Sequence, residues 1–582
     1  VDEPDIVLSG GLVFDGRGSP PNIRDVRISA GRIAAVSKPP LTATNTQTID
    51  CRGKWVVPGF IDCHTHYDAE VEIAPGLVES VRHGVTTVLL GSCSLSLAIG
   101  EPDDLADLFC RVEAIPDEYV RPLLHAKKTW TDHRTYFDHL GALALGPNIA
   151  SFVGHSAVRA HVMGIARSVN ASVRPEQIEL GAMEHILEEA LDGGWLGLSV
   201  QTLPWDKVGG DRAIRSRPLP STYARWSEYR RLTRILRERG RIFQGVPSPT
   251  RPLSSLLFFV ESTGIVRKRL KTTLISMMDL RANRMVRHFT SGLARVFNAC
   301  FDADFRWQAL PELFDLWADG LDLVVFEEFG AGAAALHLAE HAQRMELLKE
   351  PEYRARFRRE WTDKYSPKFF HRDLSESLVL ACPDASLVGK SFTDIASERG
   401  HDAIDTFLDL VAKHGTRLRW YTVMANDRPD VIRKMVSSPD VLIGFSDAGA
   451  HLRQMAHYNF PLRMLRLVRD SQTRGEGFMS IERAVHRLTG EMAAWLGIDA
   501  GTIEVGKRAD LVVIDPEALD DDVERAVEAP MECFAGFSRM VRRNDRAVKL
   551  VMIGGKPAFA DGKAASALGT EKLGRVLRAL PT

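Results

Sequence analysis

Residues 55–68 read WVVPGFIDCHTHYD. An apolar segment is broken at Pro58-Gly59, resumes at Phe60 and Ile61, and stops at two histidines one residue apart, His64 and His66. Asp62 stands before them and Asp68 after. On an extended strand residues i and i+2 project to the same side, so both imidazoles aim one way from the end of a buried strand. Asp62 is in phase with them and placed to help orient an imidazole, while Asp68 falls just beyond the strand. Paired imidazoles suit a borderline-soft divalent ion, Zn²⁺ most simply. A short motif of this kind is weak by itself; its meaning depends on the pattern of the chain downstream.

Beyond Asp68 strand-like and helix-like segments alternate. Short apolar runs, each closed by Gly, Ser or a polar residue, are VVPGFIDCH, VTTVLLGSC, IASFVGHS, WLGLSVQT, RIFQGVP, TTLISMM, ARVFNAC and VLIGFSD. Amphipathic stretches such as PEQIELGAMEHILEEALDGG and RWSEYRRLTRILRERG separate them, with apolar residues at helical spacing. Strands alternating with helices give an α/β protein, and eight such units predict a (β/α)8 TIM-type barrel. The stretch before VLIGFSD is too long for one crossover and predicts an insertion over about 302–437, a lid or pocket wall. LSSLLFFVES is read as a helix packed on the barrel rather than as a lipid site, and the arginine-rich YRRLTRILRERGR as a solvated helix face.

The two ends echo each other. DIVLSGGLVFDG near the start and AVKLVMIGGKPAFADG near the finish each read as a β-hairpin turning at Gly-Gly. A lone hairpin is marginal in water, so both termini are expected to build one small β-sandwich domain. The division predicted is 1–57 and 501–582 for that domain and 58–500 for the barrel.

Active sites of such barrels lie at the C-terminal ends of the strands. The polar residues there are His64 and His66, Cys93, His155, Gln201, Gln244 or Ser248, Met277, and Asp447 with His451. Histidines, a thiol and a carboxylate at one mouth form a metal-binding composition.

The remaining composition excludes rather than assigns. The chain has 582 residues, 45% hydrophobic and 26% charged, with a formal net charge of −2, which supplies no electrostatic reason for nucleic acid or a membrane surface as partner. No run approaches the ~20 apolar residues of a membrane span. Seven cysteines, an odd number spread from Cys51 to Cys533, make no disulfide framework. The opening VDEPDIVLSGG has neither a basic head nor an apolar signal core, so the expected compartment is the cytoplasm. A leader already removed ahead of Val1 is left open. The expected partner is a small-molecule substrate, with a homo-oligomer left open.

The strand-end segments resemble the amidohydrolase superfamily, and within it the N-acyl-D-amino-acid deacylases, or D-aminoacylases, of which the chain reads as a divergent member. VVPGFIDCHTHYD is similar to that family's first-strand metal motif. HGVTTVLLGSCSLSLA resembles the second-strand segment that carries a metal-binding cysteine, here Cys93. FVGHSAVRAHVMG resembles the third-strand segment and implies His155 and Arg159 at the pocket. VLIGFSDAGAH resembles the eighth strand, whose aspartate, here Asp447, the resemblance implies as both ligand and proton acceptor. AVHRLTGEMAAWLGI and GTIEVGKRADLVVIDP resemble the segments that close the barrel and re-enter the β domain. The sequence departs from the family on strands five and six. RIFQGVPSPT and LKTTLISMMDL carry Gln244-Gly245 and Ser276-Met277 where that family places single histidines.

The function expected is hydrolysis of an amide C–N bond, in an N-acyl amino acid or related amide, by metal-activated water with an aspartate as general base. The metal set is His64, His66, Asp447 and Cys93, holding one ion, zinc or another divalent metal. Asp447 is the expected general base and His155 the oxyanion donor; Arg159 and His451 are expected to contact substrate. The alternatives are a metal-assisted lyase or C–C hydrolase on a carbonyl substrate, and a non-catalytic assembly module.

Overall fold

The computed structural model describes residues 5–41, 46–338 and 340–581. Eight parallel strands make its barrel. They are β1 (Phe60–Asp62), β2 (Val85–Leu90), β3 in two pieces (Asn148–Ser151 and Val153–Gly154), β4 (Gly197–Gln201), β5 (Ile242–Val246), β6 (Lys271–Leu274), β7 (Asp304–Ala309) and β8 (Val441–Ile443). Every residue of β2, β4 and β5 is buried, as expected of parallel strands covered on both faces. The first piece of β3 pairs with β2 and the second with β4. Gln244 on β5 stands opposite Thr273 on β6, and Gln308 on β7 opposite Leu442 on β8.

The ring closes just past the strand ends. Thr65 bridges Ala448 in parallel, the His66 amide donates to the Ala448 carbonyl at 2.7 Å, and the Asp447 amide to the His64 carbonyl at 3.2 Å. The loop after β8 therefore lies directly on the His64–His66 segment. Gly449 makes that contact possible: its φ is +91°, and a Cβ there would lie 2.6 Å from the carbonyl carbon of His66.

Strand seven is a correction. ARVFNAC is not a strand but the end of a helix, Met285–Cys300. The seven-residue window hid a longer period, because Val286, Phe289, Leu293 and Phe297 recur every three or four residues. The strand itself comes at Asp304–Ala309, so the excursion before β8 starts after residue 309 rather than at 302. That excursion contains a three-stranded antiparallel sheet, with Arg419–Ala425 between Phe314–Asp319 and Ser377–Ala381. Its helices enclose an aromatic core that includes Phe326, Trp361, Phe407 and Trp420.

Both termini meet in one nine-stranded sheet. Its seam is the antiparallel pair Trp55–Pro58 and Leu511–Ile514, with Val57 opposite Val512. Leu8, Val26, Ile33, Leu511 and Met552 share an apolar cluster on it. The C-terminal hairpin is present as Val548–Ile553 and Lys556–Ala560. The N-terminal one is not: Asp5–Val13 is a single strand, with a bulge between Leu8 and Gly11. Gly10 at φ +70° absorbs the extra residue, so Gly-Gly marks a bulge there and not a turn.

Candidate metal centre

His64 and His66 lie beyond the last residue of β1, on the extended segment that the β8 loop covers. Both are buried. Their Nε2 atoms are 3.3 Å apart. Cys93, just past β2, brings Sγ to 3.3 Å from His64 Nε2, and Asp447 Oδ1 lies 3.5 Å from His64 Nε2 and 3.3 Å from His66 Nε2. His64, His66 and Cys93 form a set whose ligand atoms are all within 4.8 Å of one another. Zn–N and Zn–S bonds of about 2.0–2.3 Å in a tetrahedron give donor–donor edges of about 3.3–3.6 Å. The four observed separations fall on that scale. Cys93, Asp447 and His451 all take positive φ, 53°, 57° and 47°, a backbone conformation uncommon outside glycine and found at functional sites.

The outer faces of the imidazoles are held as well. His64 Nδ1 is 2.6 Å from Gln308 Oε1 on β7 and 3.4 Å from Gln244 Nε2 on β5. His66 Nδ1 is at ion-pair distance, 3.1 Å, from Glu113 Oε1, though out of hydrogen-bond alignment. A carbonyl or carboxylate on Nδ1 leaves the Nε2 lone pair to point inward, the usual support for a metal-bound histidine. Asp62 does not touch a ring. It accepts from the His64 amide at 3.3 Å and from the Ser446 hydroxyl, fastening β1 to the β8 loop.

Burial sets the charge of this group. It lowers His64 to about 4, with the charge of His66 adding and Asp447 opposing. It pushes Cys93 up to about 12 and Glu113 up to about 8, the latter helped by Asp447, Asp206 and Asp68. For Asp447 burial also works upward, but the hydrogen bond and charge of His66 and the charges of His64 and His451 prevail, holding the carboxyl below the usual range. Two imidazole nitrogens, a thiol sulfur and a carboxylate oxygen converge here, the donor types that hold a borderline-soft metal ion. A divalent cation fits this set.

These groups open onto a cavity of ≈ 550 Å³, whose lining includes His66, Cys93, Glu113, Asp206, Asp447 and His451. The rest of the lining is mostly apolar, with Trp205, Phe259, Met278, Trp307 and Phe445 among it, and the insertion adds Phe314, Leu316, Val325 and Phe369. His451 bonds Gln454 Oε1 through Nδ1 at 3.1 Å. Burial and the charge of His66 lower its pKa against the pull of Asp447.

Two residues named with the site stand apart from it. His155 opens helix α1 (His155–Met163) with its ring buried, Nδ1 3.0 Å from Ser221 Oγ and Nε2 3.1 Å from Glu228. Arg159, one turn on, is also buried and reaches Glu228 at 3.1 Å and the carbonyls of Ser168 and Pro220. Glu228 belongs to α2 (Trp226–Glu238). Neither His155 nor Arg159 lines the cavity. Both face the neighbouring helix, because residues i and i+4 share one face. Strand ends alone do not distinguish a side chain turned to the mouth from one turned to the next helix.

Gln308, Glu113 and Asp206 were not singled out by sequence. Gln308 was hidden by the misplaced seventh strand, although DFRWQA is rich in aromatics and alternates. Glu113 comes after a helix in an irregular segment that offers no local signal. Asp206 accepts from the Gln201 amide and is raised to about 7 by burial, with Glu327 and Asp447 adding.

A model of the amidohydrolase family matches residues 393–559. The chain is 48% identical over 564 residues to an uncharacterized protein of Mycobacterium tuberculosis, covering 96% of this chain and 92% of the relative. The chain belongs to the amidohydrolase family. It is 25% identical over 543 residues to the D-aminoacylase of Alcaligenes xylosoxydans xylosoxydans, covering 92% of each. Among solved structures, this amidohydrolase superposes on N-acyl-D-glutamate deacylase from Bordetella bronchiseptica, complexed with zinc and a phosphonate mimic of the tetrahedral intermediate. The TM-score is 0.64 at 21% identity, over 99% of this chain and 100% of that one. A D-aminoacylase described with a binuclear metal centre gives 0.63 at 22%, over 99% and 100%. At that identity the likeness is one of fold, a barrel with a small β domain.

Proposed function

We propose that this amidohydrolase cleaves an amide C–N bond in an N-acyl amino acid or related amide whose acyl portion is bulky and apolar. The observation that carries the reading is the convergence of His64 Nε2, His66 Nε2, Cys93 Sγ and Asp447 Oδ1 at the floor of a cavity that is otherwise largely apolar. His64, His66 and Cys93 would form the core of a site for one zinc ion, with Asp447 as a further ligand. A divalent cation there would acidify water and polarise the substrate carbonyl.

The chain's own residues supply the rest. Asp447 makes both imidazole contacts through Oδ1, so its second oxygen is the one to accept a proton from the attacking water and return it to the leaving nitrogen. His451, with Nδ1 engaged by Gln454, turns Nε2 toward substrate. His155 and Arg159 act at a distance, by fixing α1 against α2. The apolar lining excludes bulk water and holds the acyl group.

One ion is expected because strands five and six offer Gln244 and Met277 in place of imidazoles, and neither side chain lines the cavity. Metal analysis of protein purified without added zinc, with an amine-release screen over N-acyl D- and L-amino acids, tests the reading. One tightly held ion per chain, lost in His64→Ala and in His66→Ala, together with amine release, is the expected result. Metal without amine release from any amide would refute the amide reading, and two fully occupied ions with separate protein ligands would refute the single site.

A further inference from the structure

Two helices beside the cavity mouth leave their apolar faces uncovered. They are α3 (Pro252–Ser262) and α4 (Met285–Cys300). On α3, Phe258 and Phe259 are buried against the barrel while Leu253 is 79% exposed. Helix α4 is sixteen residues long and buries only Ala294; Met285 and Phe289 are 69% and 71% exposed. Ile265 and Val266 are 63% and 95% exposed, but on the loop that enters the N-terminal end of β6, at the far end of the barrel from the mouth. Of twenty large apolar side chains exposed among the described residues, ten lie between 253 and 301, and five of these, Leu253, Leu256, Met285, Val286 and Phe289, stand on the first two turns of α3 and α4, the ends nearest the mouth. Contiguous exposed apolar surface marks an interaction site.

The patch and the cavity are continuous, since Leu253, Leu256, Val286 and Phe289 belong to both. The same segment is strongly basic. Residues 251–300 hold nine Lys and Arg against two acids, Glu261 and Asp279, in a chain whose net charge is −2. Five of the nine are in ion pairs, Arg267 with Glu261, Arg269 with Asp302, Arg281 with Glu376, Arg284 with Asp427 and Arg287 with Asp279. Arg251, Lys268 and Arg295 are exposed and have no carboxylate partner among the described residues. Apolar side chains rimmed by cations are the composition of a surface that lies in the interface of an anionic bilayer. A second copy of the chain is a poorer occupant, because a two-fold contact would set one basic patch against its equal.

We propose that the mouth-side ends of α3 and α4 dock on an anionic lipid bilayer, with the cavity mouth toward the membrane. Resting on the amide reading above, the corollary is that long-chain N-acyl substrates enter from the lipid phase. The docking itself is independent of the chemistry and is read without turnover, by sedimentation of the full chain with phosphatidylcholine vesicles with and without phosphatidylglycerol. Binding to the anionic vesicles is expected to be at least ~10-fold tighter than to the neutral ones and to weaken with salt. The triple variant Leu253→Ser, Met285→Ser, Phe289→Ser is expected to lose at least ~10-fold in vesicle binding while keeping its circular dichroism. Equal binding to both vesicle types, unaltered binding by the variant, or no binding together with a dimer that the variant dissociates would each overturn the proposal; the last would assign the face to a second copy.

Discussion

Gln308 Oε1 and His64 Nδ1 are 2.6 Å apart, joining β7 to the segment beyond β1. An amide oxygen at that distance accepts the Nδ1 proton and so fixes the lone pair on Nε2, toward His66, Cys93 and Asp447. Gln308→Leu is therefore expected to weaken zinc binding by ~10–100-fold, read by competition with a chromogenic chelator. Gln308→Glu keeps an acceptor and should recover much of the loss. Unchanged affinity in the leucine variant would show that another group holds the tautomer.

Asp447→Asn keeps the side-chain volume and removes the charge and the proton-accepting oxygen. A fall in turnover of at least ~10²-fold is expected for loss of a proton-transfer group, with an unaltered circular dichroism spectrum. Near-normal turnover would remove Asp447 from the mechanism.

Arg159, His155 and Glu228 form a buried cluster away from the cavity. Taking away one partner of a buried ion pair strands the other, at a cost of about 3–5 kcal/mol. Arg159→Leu should therefore lower the urea midpoint strongly and leave KM of the folded enzyme unchanged. A raised KM without loss of stability would put Arg159 back among the substrate contacts.

The apolar lining makes acyl length the variable to test. Burying each further methylene contributes about 0.8 kcal/mol, so kcat/KM should climb by ~10-fold or more between acetyl and medium-chain substrates of one amino acid. Equal efficiency across the series would contradict a cavity that selects on apolar bulk.

His133 is buried against Trp195, and burial lowers its pKa from 6.5 to about 3. The unfolded chain takes up that proton first as pH falls. The contribution to stability is thus complete above pH 6.5 and lost progressively toward about pH 3. His133→Leu should flatten the decline of Tm between pH 6.5 and 4.5, and an identical slope in the variant would show that other groups carry the acid sensitivity.

Local pattern carried much of the fold. Seven of the eight barrel strands are apolar runs that a short window detects, and the i, i+2 spacing of His64 and His66 states its own geometry. The eighth-strand loop was legible for the same reason, since Asp447 and His451 sit four residues apart in a single segment. Where the window was too short for the period, at ARVFNAC, a helix end passed for a strand. Where Gly-Gly had two structural meanings, a bulge passed for a turn.

By itself, then, the sequence determined seven of the eight barrel strands, that two imidazoles would share a face, and that a thiol and a carboxylate stood at other strand ends. Those are nearest-neighbour properties of a chain. Only the tertiary structure decided that Gln308, 244 residues from His64, would hold its tautomer, and that Glu113 would face His66. It also turned His155 and Arg159 to Glu228 instead of the cavity. Whole-chain charge is a sum in which opposite signs cancel, whereas the fold sets the exposed apolar ends of α3 and α4 and the unpaired Arg251 beside a single opening. Such placements depend on which distant surfaces the closed barrel brings together, and no local spacing encodes them.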